Sequence, residues 1–206
     1  GFSAGKIILF GEHAVVYDHY AIAIPIEKAV KVELQEIEGD YQFIINGNSN
    51  SFFDNNSDEY TYLVRMIEMI SDLLKIDRGK YKIKIFSRIP LSMGLGASAS
   101  YAVALIRGLI DLFNLTSTDK EINDIAYECE TLSHGNPSGI DNTVACYAQP
   151  ILYNRKDGVK NIDFDDIKSL PIIIAVSNKS SKTIDVINEV CSRYEKNKNI
   201  YTDIFM

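Results

Sequence analysis

One stretch constrains this chain more than any other. Pro90-Leu91-Ser92-Met93-Gly94-Leu95-Gly96-Ala97-Ser98-Ala99-Ser100 runs without a break into an apolar segment predicted to be helical over 97–113. Its glycines and small side chains let the backbone turn tightly and pack closely. The first N–H groups of the helix that follows have no partner inside it, and the helix dipole adds partial positive charge there. Such a terminus accepts an anion, and phosphate is the usual biological one. A plainer reading stands beside this: a tight turn that lets the helix dock on its neighbours.

Two other phosphate loops fail on context. Gly94-Leu95-Gly96-Ala97-Ser98-Ala99 satisfies the loose dinucleotide fingerprint, but that motif needs a second strand with an acidic residue about 20 positions on. Here those positions, 115–127, read as a turn and another helix. Residues 1–6 look Walker-like, yet only three residues separate Gly1 from Gly5, and Ile7 follows Lys6 where Ser or Thr is required.

The 206 residues suffice for one generous domain, or for one domain and part of another. A net charge of -7 with no basic stripe reads against broad nucleic-acid binding. Cys129, Cys146 and Cys191 share no metal-like spacing, as expected of reduced thiols in the cytoplasm. No charged n-region precedes an apolar stretch, and the longest apolar run is broken by Arg107 and Asp111, so neither a signal peptide nor a membrane span is expected.

Short β-type segments are expected at 6–10, 14–17, 22–24, 30–36 and 41–45. A half-buried strand is expected at 81–86, where Tyr81, Ile83 and Ile85 alternate with lysines. Leu63, Ile67, Ile70 and Leu74 fall on one face of a helix predicted over 60–74. Further helices are expected at 118–132, opened by a capping box of Thr118 and Glu121, at 138–147 and at 183–194. Two more strands are expected at 151–154 and 172–176. Strands first and helices later predict an α+β fold.

Glu130 closes one predicted helix and Asp141 opens the next, across a loop rich in Gly, Pro and Ser. Such loops on a rigid frame commonly carry function. Taken singly, Asp141 is equally a first-turn carboxylate facing a helix dipole, and Glu130 a solvated acid. Lys6, in an apolar strand, is either an edge residue reaching solvent or a site residue with a lowered pKa. His13, beside Gly11 and Glu12, reads equally as a satisfied core histidine, and no histidine has a partner at zinc-ligand spacing. Together these groups suffice for phosphoryl transfer, which is mostly positioning plus electrostatic stabilisation of phosphate oxygens. The loop supplies backbone donors, Ser98 and Glu130 supply magnesium ligands, Asp141 is the base, and Lys6 is the cation that keeps it ionised.

Ser3-Ala4-Gly5-Lys6 with Gly11-Glu12-His13-Ala14-Val15-Val16-Tyr17 resembles the first motif of the GHMP small-molecule kinases, and residues 90–100 resemble their phosphate loop. His134-Gly135-Asn136-Pro137-Ser138-Gly139-Ile140-Asp141-Asn142 resembles the form found in the mevalonate kinase branch. Ser180-Ser181-Lys182-Thr183 is a weaker, later match. Ala4 stands where the family usually has Pro, and Ala97 where it often has Ser.

The resemblance implies ATP-dependent phosphorylation of the primary hydroxyl of mevalonate. Asp141 and Lys6 would be catalytic, residues 90–100 would bind the nucleotide, Ser98 and Glu130 would hold Mg2+, and Glu12 and His13 would face the substrate acid. It implies a ribosomal-protein-S5-type α+β domain over 1–170, with 171–206 beginning a ferredoxin-like C-terminal domain that is largely missing, since no third glycine-rich motif follows Asp141. The chain is accordingly expected to be the N-terminal two-thirds of a longer kinase; the alternative is a shortened protein of weak or no activity. The implied partners are ATP, Mg2+ and mevalonate, without nucleic acid or membrane, and a homodimer stays open. Two further readings remain: a phosphomevalonate or homoserine kinase, and a catalytically silent, metabolite-sensing relative.

Overall fold

A computed structural model describes residues 1–12, 14–46, 57–90, 93–134, 137–162, 171–175 and 183–205. β1 (Phe2–Phe10) pairs antiparallel with β2 (Ala21–Ile37), Ile7 opposite Ile24 and Phe2 opposite Lys31. β3 (Gln42–Ile45) runs parallel to β4 (Lys80–Ser87), Phe43 beside Ile83. Val30 and Lys31 of β2 pair with both β1 and β4, while Ile22 and Ala23 pair with both β1 and β5 (Ile151–Asn154). β4 and β5 therefore share the edge of β2 opposite β1, one at each end. β6 (Gly158–Asn161) closes a hairpin with β5.

Four of the expected β segments are corrected here. β2 is one strand where two were expected, at 22–24 and 30–36, because Pro25, Glu27 and Lys28 look like a break. The ladder to β1 steps from Ser3–Val30 to Gly5–Ile26, and Lys28, at φ 48°, sits in the intervening bulge. A bulge absorbs the irregular residues and lets the strand continue. Ala14–Tyr17 is a 3-10 turn, closed by the Asp18 N–H on the Val15 carbonyl at 3.3 Å. Its β-branched valines suit a strand, but none of the described strands pairs with them. Residues 171–175 likewise belong to no strand, although one was expected at 172–176, and Val176 lies outside the described residues. None of the described strands pairs with them, and Ile173 is 95% exposed.

The helices follow their apolar periods. α1 (Asp58–Leu74) starts where Ser57 accepts a hydrogen bond from the Tyr60 N–H, and buries Leu63, Met66, Ile67 and Ile70. α2 (Ala97–Leu112) is buried almost all round, packing on β1 and β2, with α1, α3 (Asp119–His134) and α4 (Ile140–Tyr147) against it. The capping box ahead of α3 forms in both directions. The Thr118 N–H reaches Glu121 at 2.7 Å, and the Glu121 N–H reaches the Thr118 hydroxyl at 3.2 Å. α4 sits on a small second core of Val15, Ala21, Ala23, Ile140, Val144, Ile151 and Tyr153. That core fixes the helix start that carries Asp141.

α5 (Thr183–Lys196) and α6 (Lys198–Phe205) return to the N-terminal region. Tyr17 stacks on Tyr194 at 4.1 Å and on Phe205 at 5.3 Å between ring centroids. β6 and α6 are additions to the expected elements. Among the described residues no helix is long and apolar enough to cross a membrane.

Candidate active site

β1 and the start of α2 are joined at the glycine loop. The Lys6 N–H donates to the Leu95 carbonyl at 3.0 Å, and the Ser3 hydroxyl to the Ser100 carbonyl at 2.7 Å. The Ser100 hydroxyl shares its one proton between the carbonyls of Ala4, at 2.6 Å, and Gly96, at 2.8 Å. That side chain is buried and committed to the join. Ala4, in the place of the family's proline, is buried as well. Gly94 and Gly96 hold φ of 73° and 69°, the left-handed region that suits glycine. Gly96 caps α2 with no side-chain hydrogen bond, which leaves the first-turn N–H groups to the loop's own concavity. Pro90 and Gly94 are exposed and Met93 and Ser98 half-buried, whereas Leu95, Gly96, Ala97 and Ala99 are buried and offer backbone only. Leu91 and Ser92 lie outside the described residues.

Lys6 and Asp141 meet at the loop's base. Their Nζ and Oδ1 atoms are 3.0 Å apart, with the lysine side chain 5% exposed and the aspartate 30%. Lys6 is therefore not an edge residue reaching solvent. Burial works to lower its pKa, but the attraction of Asp141, Glu12 and Glu130 outweighs that and the net shift is upward. The lowered pKa considered for a site lysine is thereby corrected. Lys6 stays an ammonium.

Glu130, on α3, is buried rather than solvated. It accepts a hydrogen bond from the Ser98 hydroxyl at 2.7 Å. Burial pushes its carboxyl up to about 7, against the opposing pull of the Ser98 bond, while Asp141 adds to the rise and Lys6 offsets part of it. A buried carboxylate this reluctant to ionise would be stabilised by a cation at the same place. Ser98 and Glu130 are both hard oxygen donors, and Mg2+ typically takes one or two carboxylates and completes its shell with water and phosphate oxygens. Among the described residues no group of three or more His, Cys, Asp or Glu forms a protein cage for a metal. The donor set fits Mg2+ arriving with a nucleotide.

Tyr62, on α1, shares a 2.7 Å hydrogen bond with the Ser98 hydroxyl. No motif marks this residue, and one tyrosine on an apolar helix carries no sequence signal of a site. Glu12 is exposed, yet close enough to act on the charge of Lys6. His13 and residues 180–182 lie outside the described residues. The structure thus brings Lys6, Ser98, Glu130 and Asp141, from four different elements, to one place.

The profile of the GHMP kinases N terminal domain matches residues 61–149, the span holding Ser98, Glu130 and Asp141. The mevalonate kinase of Methanocaldococcus jannaschii is 31% identical over 216 residues, covering 97% of this chain and 68% of its own length. That of Thermococcus sibiricus is 29% identical and covers 97% of this chain and 63% of its own length. Among solved structures, L. major mevalonate kinase in complex with R-mevalonate matches with a TM-score of 0.76 at 29% identity, covering 99% of this chain and 64% of that one. The chain therefore spans about two thirds of the length of the relatives it matches. With the profile spanning the loop and both carboxylates and a relative 31% identical across 97% of it, the chain belongs to the GHMP kinase family.

Proposed function

We propose that this chain carries the phosphoryl-transfer site of an ATP-dependent mevalonate kinase, which makes 5-phosphomevalonate from the primary hydroxyl of mevalonate. The observation that supports it most is the Lys6–Asp141 pair at 3.0 Å beside the Ser98–Glu130 bond at 2.7 Å. Asp141 takes the proton of the substrate hydroxyl as its oxygen bonds to the γ-phosphorus and the bond to the departing ADP oxygen breaks. Lys6, its ammonium 3.0 Å from Asp141, holds that carboxylate in place and lowers the pKa of the hydroxyl beside it. Backbone N–H groups of the 90–100 loop and the positive end of α2 hold the phosphate oxygens. Ser98 and Glu130 hold Mg2+, which neutralises charge on those oxygens when bound. The family resemblance assigns Glu12 and His13 to the acceptor.

The choice of acceptor rests on relatives named mevalonate kinase at about 30% identity and on the 134–142 string. In this reading residues 1–170 form the kinase N-terminal domain and 171–206 begin a C-terminal one. ATP and a small soluble acid as substrates fit a cytoplasmic enzyme. The test is an ADP-release assay offering mevalonate, phosphomevalonate and homoserine in parallel, with the product identified by phosphorus NMR. Turnover with mevalonate alone is expected. Preference for another acceptor would move the chain to a sister activity, and nucleotide binding without turnover on any of them would mark a silent relative.

A further inference from the structure

We propose that Tyr62 is a positioning residue that fixes the Ser98 hydroxyl for the metal, a role that rests on the reading of Ser98 and Glu130 given above. Ser98 has one hydroxyl proton, and it is donated to Glu130 Oε1 at 2.7 Å. With Glu130 ionised, as a metal ligand would be, the 2.7 Å contact between the Tyr62 and Ser98 oxygens carries the tyrosine's proton, so that Tyr62 donates and Ser98 accepts. A serine side chain otherwise turns among three staggered rotamers. With its proton aimed at α3 and its oxygen receiving a proton from α1, it is held in one. A hydroxyl oxygen has two lone pairs, so a bond accepted from Tyr62 does not by itself bar a bond to a cation.

Tyr62 is itself well anchored. Its ring packs against the main core, and the first turn of α1 is set by the Ser57 cap on Tyr60. The three hydroxyl and carboxyl groups come from α1, α2 and α3, so the bonds join three helices at the one side chain whose direction matters most. A merely bracing tyrosine would, when lost, weaken every ligand alike. A positioning tyrosine affects the metal and spares the acceptor.

The test is Tyr62→Phe in the natural enzyme, a change that keeps the ring and its packing. Mn2+, visible by paramagnetic resonance, stands in for Mg2+ and is titrated with a non-hydrolysable ATP analogue; the KM for mevalonate is measured at saturating metal. Removing an outer partner of a metal ligand costs roughly 10–100-fold in metal affinity. We expect Mn2+ binding to weaken about tenfold, at the lower end of that range, with the mevalonate KM unchanged. In a Ser98→Ala background the tyrosine change should add nothing, because the two act as one unit. Unchanged Mn2+ binding, equal loss of metal and mevalonate, or full additivity with Ser98→Ala would each overturn the role. If Ser98→Ala itself leaves Mn2+ binding intact, the metal reading of Ser98 fails and takes the role of Tyr62 with it. If Ser98→Ala weakens it and Tyr62→Phe does not, only Tyr62 is withdrawn.

Discussion

Gly96 leaves room for Lys6 and for nothing else: a Cβ built on Gly96 would stand 2.7 Å from Lys6 Cγ. The same residue holds φ at 69°, where an L side chain costs about 1–2 kcal/mol. Gly96→Ala is therefore expected to lose stability by both routes and to push Lys6 off Asp141, so that the denaturation midpoint and turnover fall together. Gly94 makes an internal control. Its φ is 73°, but a Cβ there meets nothing within 4 Å, so Gly94→Ala should show the backbone cost alone. Equal destabilisation by the two changes would count against the steric argument.

The ion pair at the base of the loop is lopsided, and its two halves should fail differently. Asp141→Asn removes the proposed base, so turnover should drop by about 10²–10⁴ while ATP still binds. It also leaves a lysine that is 5% exposed with only Glu12 and Glu130 to offset its charge, and a buried charge without its direct partner costs on the order of 3 kcal/mol. Lys6→Met leaves behind an aspartate that is 30% exposed and can be hydrated. Melting curves should rank Asp141→Asn below Lys6→Met, although both are poor catalysts. The opposite ranking would mean that the lysine is not the buried partner in solution.

Glu130→Gln keeps the shape of the side chain and removes its charge. A hard cation then loses an anionic oxygen, so the Mg2+ concentration for half-maximal rate should rise more than the KM for mevalonate. Superimposable Mg2+ titrations of mutant and wild type would remove Glu130 from the metal site.

The cysteines give a readout of folding that is independent of activity. Burial pushes the thiols of Cys129 and Cys146 up to about 12, while Cys191 is half-buried. At pH 8 a maleimide should label Cys191 first and the other two only as the chain opens. Both buried thiols keep their protons in the folded state, whereas an unfolded chain loses them from about pH 9 upward. Raising the pH through 9 to 12 should therefore lower stability, and replacing both by alanine should flatten that slope after allowing for the cavity cost. Rapid labelling of Cys146 in the native state would contradict the packing of α4.

What could be read from the residues alone follows where their signals were local. The capping box at Thr118 and Glu121, the apolar stripe of α1 and the glycine loop ahead of α2 each declare themselves within a few positions, and each forms. Lys6 was ambiguous because its partner lies far along the chain and no local pattern can announce it. β2 looked broken because Pro25, Glu27 and Lys28 disfavour a strand, and only the ladder to β1 shows that a bulge takes them in. Val15 and Val16 suit a strand, but none of the described strands pairs with them. Tyr62 could not have been found at all, since its importance lies in one contact with a residue on another helix.

The 135 positions between Lys6 and Asp141 have a consequence for how the protein is made. At about 5–20 residues per second, roughly 7–27 s separate the emergence of the two residues from the ribosome. Through that interval the first strand carries a cation that its final surroundings would otherwise bury unmatched. Leu95, which binds the Lys6 N–H, also comes late. β1 can pair with β2 long before Asp141 emerges, so a ribosome stalled before Asp141 would hold that strand pair with the Lys6 charge still unmatched.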